Sequence, residues 1–276
     1  MTGARRNQAL LDWYGANRRE LPWRANHEPW PILISEIMLQ QTQAARVVPF
    51  FERFMARYPT PAAIAQAPAA EVLALWSGLG YNRRAIRLQE AARRIAGNGW
   101  PPDTAGLQAL PGIGPYTAAA VACFAYGEQV PTTDTNLRRV LSRWLGRPLR
   151  GPELAEVARG ELPSGRAADW NQALMDLGAG ICRPVEPSCG ECPVEDWCAG
   201  PETYVAPPSQ GRFRGSRREA RGAVVRGLVA RGASTLTELS ATTDLDKRQV
   251  STALKTLSDE GMVEESADGV FRLPGS

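Results

Sequence analysis

Apolar residues recur at helical spacing through most of the first two hundred positions, punctuated by short Gly/Pro turns. The spacing predicts helices over residues 8–14, 31–43, 45–58, 69–75, 84–96, 117–125 and 136–145. No pair of alternating β-branched runs falls among them, so this part of the chain reads as all-α. Residues 199–215, AGPETYVAPPSQGRFRG, have the Pro, Gly and Ser content of a linker. Beyond it, Val224, Val225, Leu228 and Val229 mark a helix over 217–230, and a short helix follows at 236–240. After a turn at Asp244, Val250, Leu254 and Leu257 mark a third helix over 247–260, with Lys247, Arg248 and Lys255 on its outer side. Residues 262–263 and 270–273 flank Ala267-Asp268-Gly269, a hairpin signal. Three helices and a hairpin form a winged-helix-like α+β pattern, which could meet DNA through its third helix or serve as a packing or protein-contact module. The expected organisation is a helical domain over 1–198, a linker over 199–215 and a small module over 216–276.

Composition adds limits. With 43% hydrophobic and 22% charged residues the chain has a globular rather than disordered profile. No apolar run approaches the roughly 18 residues of a membrane span. Residues 1–9 carry no apolar core of a signal peptide, so a cytoplasmic protein with no membrane partner is expected, acting as a monomer. Net charge is only +3, but the lysines are Lys247 and Lys255 alone; the rest of the 32 basic residues are arginines. Arginine suits bidentate phosphate contacts, although a GC-rich genome produces the same bias.

Four of the five cysteines fall in CRPVEPSCGECPVEDWC, as Cys182-x6-Cys189-x2-Cys192-x5-Cys198. Four thiolates in one tight loop suit an iron–sulfur cluster. Zinc also accepts four cysteines, usually as two separated C-x-x-C pairs, and only one such pair is present. Cys123 lies in an apolar run and reads as a core residue. In Leu110-Pro-Gly-Ile-Gly114 the glycines Gly112 and Gly114 would let backbone N–H groups at the next helix's start approach a phosphate. Glu36 stands in the otherwise apolar stretch WPILISEIML, where burial is expected to raise its pKa and keep a proton available near neutrality. His27 lies on a polar loop and reads as a surface residue.

Together, LPGIGPYTAAAVACFAYG, PTTDTNLRRVL, LPWR at 21–24, ISEIMLQQTQ at 34–43, WNQALMDLG at 170–178 and the cysteine spacing resemble the MutY-type adenine DNA glycosylases of the helix-hairpin-helix (endonuclease III) superfamily, over about residues 8–200. The resemblance implies a mainly α helix-hairpin-helix fold of two helical subdomains with a [4Fe-4S] loop, and duplex DNA with a mismatch or lesion as partner. It makes Asp134 the essential carboxylate. Breaking an N-glycosidic bond leaves the deoxyribose oxocarbenium-like, and a carboxylate stabilises that charge. Asn136 would orient Asp134 or the water, and Asp134 could also cap the helix over 136–145. Adenine leaves poorly until a ring nitrogen is protonated, so Glu36 would be the general acid. Gln41 resembles the residue that wedges into the duplex while the base is flipped, and Arg24 and Trp23 resemble pocket residues, although Trp23 could simply be core. Asp176 could line the pocket, and Arg138 and Arg139 would contact phosphates. Tyr116 matches a tyrosine near the catalytic aspartate.

Bifunctional relatives carry at the Tyr116 position a lysine that attacks the sugar and cleaves the strand. Residues 1–246 contain no lysine, which leaves the N-terminal amine as a remote candidate, and a monofunctional glycosylase is expected. Two departures stand out: Asn82 follows GLGY where a second tyrosine is common, and 78 residues after Cys198 are too few for the domain that usually checks 8-oxoguanine. Excision of adenine opposite 8-oxoguanine or guanine is the first reading. Removal of thymine or uracil opposite guanine is the second, and a non-enzymatic iron–sulfur DNA-binding regulator the third.

Overall fold

The computed structural model describes residues 2–204 and 211–275; the part of the linker at 205–210 lies outside the described residues. The chain forms two units, each assembled from separate stretches of sequence. The first takes Met1–Leu33, Asp103–Gln108 and Ile113–Pro208, the second Ile34–Pro102, Ala109–Gly112 and Ser209–Ser276.

The first unit holds α1 (Thr2–Asn17), a 3-10 turn at Pro22–Arg24, the start of α2 (Pro29–Leu39), α7 (Thr104–Gln108), α8 (Pro115–Tyr126), α9 (Thr135–Trp144), α10 (Gly151–Glu161) and α11 (Ala167–Gly180). Two of these helices repeat one pattern. Leu137, Val140, Leu141 and Trp144 form an i, i+3, i+4, i+7 stripe on α9, and Trp170, Ala173, Leu174 and Leu177 do the same on α11. Both stripes enter one core with Leu10 and Tyr14 of α1 and Val194 of the cysteine loop. The loop is thereby anchored to the core that carries Asp134.

The second unit holds the rest of α2, α3 (Ala44–Arg57), α4 (Pro61–Ala65), α5 (Ala69–Trp76) and α6 (Arg83–Asn98). Phe54 meets Tyr58 and Trp76 edge-on, at centroid distances of 5.2 and 5.9 Å. The buried Gln89 amide on α6 donates to the carbonyls of Ile64 (3.0 Å) and Ala67 (2.7 Å), satisfying the end of α4. The C-terminal segment adds α12 (Arg217–Arg231), β1 (Ser234–Thr235), α13 (Leu236–Thr242), α14 (Lys247–Asp259), β2 (Glu264–Glu265) and β3 (Val270–Arg272). Its sheet is antiparallel in the order β1-β3-β2. Val224, Leu228, Leu239, Val250, Leu254 and Leu257 are buried, while Lys247, Arg248 and Lys255 are exposed. The segment is tied to α5, where Ala70 N–H donates to the Pro274 carbonyl at 3.2 Å.

The sequence expectation marks no helix at α10 or α11 and only residues 8–14 of α1, and it runs α2 on to residue 43. The helix stops at Leu39, and Gln41 takes a left-handed backbone (φ 57°). Arg84 Nη1 supplies the reason, donating to the carbonyls of Ile37 (2.7 Å), Met38 (3.1 Å) and Gln40 (2.7 Å), the groups a helix end leaves open. The hairpin also pairs from Glu264 rather than from Met262, because Met262 and Val263 are buried in the core.

Candidate active site and nucleic-acid interface

Asp134 opens α9 as its N-cap. Oδ1 accepts from the Leu137 N–H at 2.6 Å, and Oδ2 accepts from Asn136 Nδ2 at 2.8 Å. One oxygen caps the helix while the other is held by the asparagine expected to orient it. Burial pushes this carboxyl above the ordinary carboxylate range; the Leu137 and Asn136 hydrogen bonds and the nearby Arg139 charge offset only part of that. The residue is nonetheless still partly accessible to solvent.

Two supports hold it in place. On the approach side, Asn171 of α11 is fully buried; its Oδ1 accepts from Thr132 N–H (2.8 Å) and its Nδ2 donates to Val130 O (2.9 Å). On the helix side, Arg139 donates from Nη2 to Asn136 Oδ1 (2.8 Å) and to Gly178 O (2.7 Å), and from Nε to Cys182 O (2.7 Å). A relay of hydrogen bonds therefore runs from the carboxylate to the first cysteine of the loop. Gly178 is part of it, because a Cβ there would stand 2.6 Å from Asn136 Cβ. Arg139 is a structural member of the site, not the phosphate contact expected from sequence. Neither Asn171 nor Gly178 carries a sequence signal beyond its place in the WNQALMDLG stretch.

Arg24 lies in the Pro22–Arg24 turn with Trp23, which is buried. Its guanidinium meets Asp176 in a bidentate pair at 2.8 and 3.0 Å, and Arg19 Nε joins at 2.7 Å. Burial raises the Asp176 carboxyl, but Arg24 and Arg19 outweigh it and hold the group below the usual range. Arg138 donates to the Tyr204 hydroxyl at 3.2 Å and stacks over its ring. Tyr116 is half-buried in the first turn of α8, after the Gly114 N-cap and Pro115. His27 is exposed, its Nδ1 2.9 Å from Phe124 O. Cys123 is buried beside Asn171, and burial pushes its thiol up to about 11, consistent with a core residue.

In the second unit, Glu36 is 5% exposed on a stretch of α2 where Ile34, Ile37 and Met38 are buried as well. Gly112 has φ +78°, and a Cβ there would stand 2.8 Å from Arg87 Cβ, so only glycine fits this hairpin position.

Cys182, Cys189, Cys192 and Cys198 all border one cavity of about 160 Å³, and none is in a disulfide. Two 3-10 turns, Cys189–Glu191 and Glu195–Trp197, bend the loop round it. Among the described residues no three His, Cys, Asp or Glu side chains converge as a single metal ion requires. Thiols spaced round a cavity instead suit a group of several atoms with one sulfur at each corner. Buried Arg143, unmarked in the sequence, donates to Cys182 Sγ at 3.2 Å and to the carbonyls of Arg183 (2.8 Å) and Pro184 (3.2 Å). A cation donating to sulfur fits an anionic cluster.

Residues 34–161 match the family of HhH-GPD superfamily base excision DNA repair proteins. The adenine DNA glycosylase of Mycobacterium tuberculosis is 42% identical over 96% of this chain and 92% of its own length. The chain belongs to the adenine DNA glycosylase family. Another member, from Mycolicibacterium smegmatis, is 43% identical over 96% of this chain and 95% of its own length. Among solved structures, a thermostable thymine-DNA glycosylase is 32% identical with a TM-score of 0.69, covering 73% of this chain and 97% of that one. The mycobacterial adenine DNA glycosylases thus match nearly the whole chain, whereas the thymine glycosylase leaves about a quarter of it unmatched. In this family member no helix of the described residues is long and apolar enough to cross a membrane.

Proposed function

We propose that this base-excision repair protein removes adenine mispaired with 8-oxoguanine or guanine, hydrolysing the N-glycosidic bond and leaving the strand uncut. The observation that carries the reading is the Asp134 carboxylate, whose two oxygens are separately fixed by the α9 N-terminus and by Asn136. Such a group offers a preorganised negative charge to a sugar becoming cationic, without reorganisation during the reaction. Glu36 acts as general acid and gives its proton to a ring nitrogen of the flipped adenine. The bond between that base and C1′ then breaks, and its electron pair leaves with the base. Water adds to C1′ on the deoxyribose, guided by Asn136, and its proton passes to a carboxylate or to solvent. Tyr116 would act beside Asp134, and Gln41 would fill the gap left by the flipped base.

The N–H groups at the start of α8, reached past Gly112 and Gly114, hold a phosphate together with the helix dipole. Arg138 stays near enough to the surface to add a second contact. Arg24 acts through Asp176 as a wall of the pocket. Cys182, Cys189, Cys192 and Cys198 would hold a [4Fe-4S] cluster, which when bound supplies an anionic cross-link to the loop rather than a reacting centre. Residues 1–198 form the catalytic domain and 216–276 an accessory module.

Single-turnover incubation with duplexes containing A:8-oxoguanine, A:G, T:G and U:G, followed by alkali, tests the reading. Adenine release is expected from the first two. Release only from T:G or U:G would assign the chain to pyrimidine excision, the activity named for the 32% identical structure. Strand breaks before alkali, or covalent trapping by borohydride, would defeat the one-step mechanism, which rests on the missing lysine in residues 1–246.

A further inference from the structure

Two turns of the second unit, one after α2 and one after α5, are joined by a single side chain, Arg84 in the first turn of α6. Its Nη1 donates to the carbonyls of Ile37 (2.7 Å), Met38 (3.1 Å) and Gln40 (2.7 Å), and its Nη2 donates to Gly80 O at 3.1 Å. Trp76 Nε1 donates to the same Gly80 carbonyl at 3.1 Å. The guanidinium carbon lies 5.3 Å from the Trp76 ring centroid and 5.4 Å from that of Tyr81, so aromatic rings flank the cation. Burial lowers the guanidinium to about 10, and it stays charged at neutral pH. A second tie crosses to the same turn, where Arg46 of α3 donates from Nη2 to Gly78 O.

Backbone strain is concentrated where Arg84 holds the chain. Gln41 (φ 57°) and Tyr81 (φ 50°) are two of the four non-glycine residues with left-handed backbones among the described residues. Such conformations persist only where the surrounding structure fixes them. The four carbonyls that Arg84 engages lie next to these two residues or on the helix end before Gln41. The clamp therefore sets the direction in which Gln41 leaves its turn.

That direction matters to the step before chemistry. Extruding a base costs stacking and pairing, and a side chain that fills the gap offsets this best when it loses little freedom on insertion. A wedge correctly placed only part of the time lowers the population of the extruded state by that fraction. We propose that Arg84 is a positioning residue for base extrusion: it locks the Gln41 turn to the Tyr81 turn, and it serves the flipping of the base rather than the breaking of its bond. The inference rests on the glycosylase reading, in which Gln41 fills the gap and Glu36 and Asp134 act after extrusion.

The test compares paired with unpaired target in single turnover, with the full chain at saturating concentration. Arg84→Met keeps much of the volume and supplies no donor. Adenine release from an A:G duplex should fall about 10- to 100-fold, the range for losing hydrogen bonds from a charged group. Release of adenine from an unpaired loop should fall by less than about threefold, because no pairing or duplex stacking has to be broken. With 2-aminopurine as the target base, on a 2′-fluorinated sugar that resists cleavage, the emission rise on binding should shrink in step with the A:G rate. In a Gln41→Ala background the Arg84→Met change should be nearly silent, since both remove the same wedge. If Arg84→Met does not fold, Arg84→Lys carries the test, because three donors on one nitrogen cannot serve four carbonyls in two turns. Equal losses on paired and unpaired adenine overturn the proposal, as do additive losses in the double variant or an unchanged A:G rate. If T:G or U:G proves to be the substrate, the adenine reading alone fails, and the same comparison of paired with unpaired pyrimidine decides the role of Arg84.

Discussion

Replacing Arg139 by methionine isolates the relay between the Asp134 carboxylate and the cysteine loop. The guanidinium is 3% exposed and makes three short bonds, to Asn136 Oδ1, Gly178 O and Cys182 O. Methionine keeps most of the volume and supplies no donor. Each acceptor left buried without a partner costs about 1–3 kcal/mol, partly offset because a buried charge no longer needs accommodation. A net loss of about 3–5 kcal/mol is expected, read by urea denaturation at fixed DNA and iron content. The rate should fall separately from stability. Asn136 loses the bond that fixes its amide, so the donor to Asp134 Oδ2 is held less well. A charged-group hydrogen bond is worth about 1.5–3 kcal/mol, which places the drop in single-turnover excision at about 10- to 100-fold well below the unfolding transition. Weakening that donor also raises the Asp134 carboxyl further, so the acidic limb of the rate profile should move to higher pH. Arg138→Met is the control one residue away: its side chain meets the half-buried Tyr204, and the cost should stay near 1 kcal/mol with the acidic limb unmoved. An Arg139→Met protein with the native rate and pH profile would refute the relay, whatever its stability.

Asp134→Asn should abolish excision while leaving the melting temperature at neutral pH unchanged or higher. Burial raises this carboxyl, so its favourable contribution is present only when protonated and is lost as pH rises through the folded value; asparagine caps a helix equally well. By the same shift, the native enzyme's single-turnover rate should decline with falling pH at a point above the ordinary aspartate value of about 3.9. Gly178→Ala should lower both stability, by about 1–3 kcal/mol, and rate, because its Cβ collides with Asn136, whereas Gly180→Ala, with open space at its Cβ, should do neither. Asp176→Asn should cost about 1–3 kcal/mol at neutral pH, Arg19 being 40% exposed. That deficit should shrink on acidification, since a carboxyl held low stabilises above its unfolded pKa and loses its effect as pH falls through the folded value.

The sequence made much of this legible where chemistry and periodicity coincide. Asp134 stood before an amphipathic helix, and the same position serves as cap and as candidate charge stabiliser. The four cysteines were readable from spacing, because a loop that short leaves few ways to arrange them. Helices such as α4 and α7, five residues each, are too short for a periodic stripe, and the two-residue β1 has no alternation to detect. The end of α2 was invisible for a different reason: its terminator is a side chain 44 residues away, Arg84 on Gln40 O, rather than a local glycine or proline. Arg139 and Arg143 were hidden by chemistry. The Arg138-Arg139 pair after Asp134 suggests phosphate contacts and Arg143 carries no signal, and only burial shows that Arg139 and Arg143 spend donors on carbonyls and a sulfur.

That expenditure bears on what the cysteine loop does for catalysis. Cys182 O and Gly178 O are the far anchors of the Arg139 guanidinium, and Arg139 fixes Asn136 against Asp134. Val194 is buried in the same core as Leu137 and Leu141, so the loop and the first turns of α9 share their packing. A cluster held by the four thiols would therefore stiffen the platform under the carboxylate without touching substrate. Electrostatic stabilisation of a developing cation depends on a charge already in position, and Asp134 is braced on one side by Asn171 and on the other by this loop. The division between a structural loop and a catalytic residue is thus one of distance rather than of function. Loosening the loop should act on the rate through Asn136, which touches both the relay and the carboxylate.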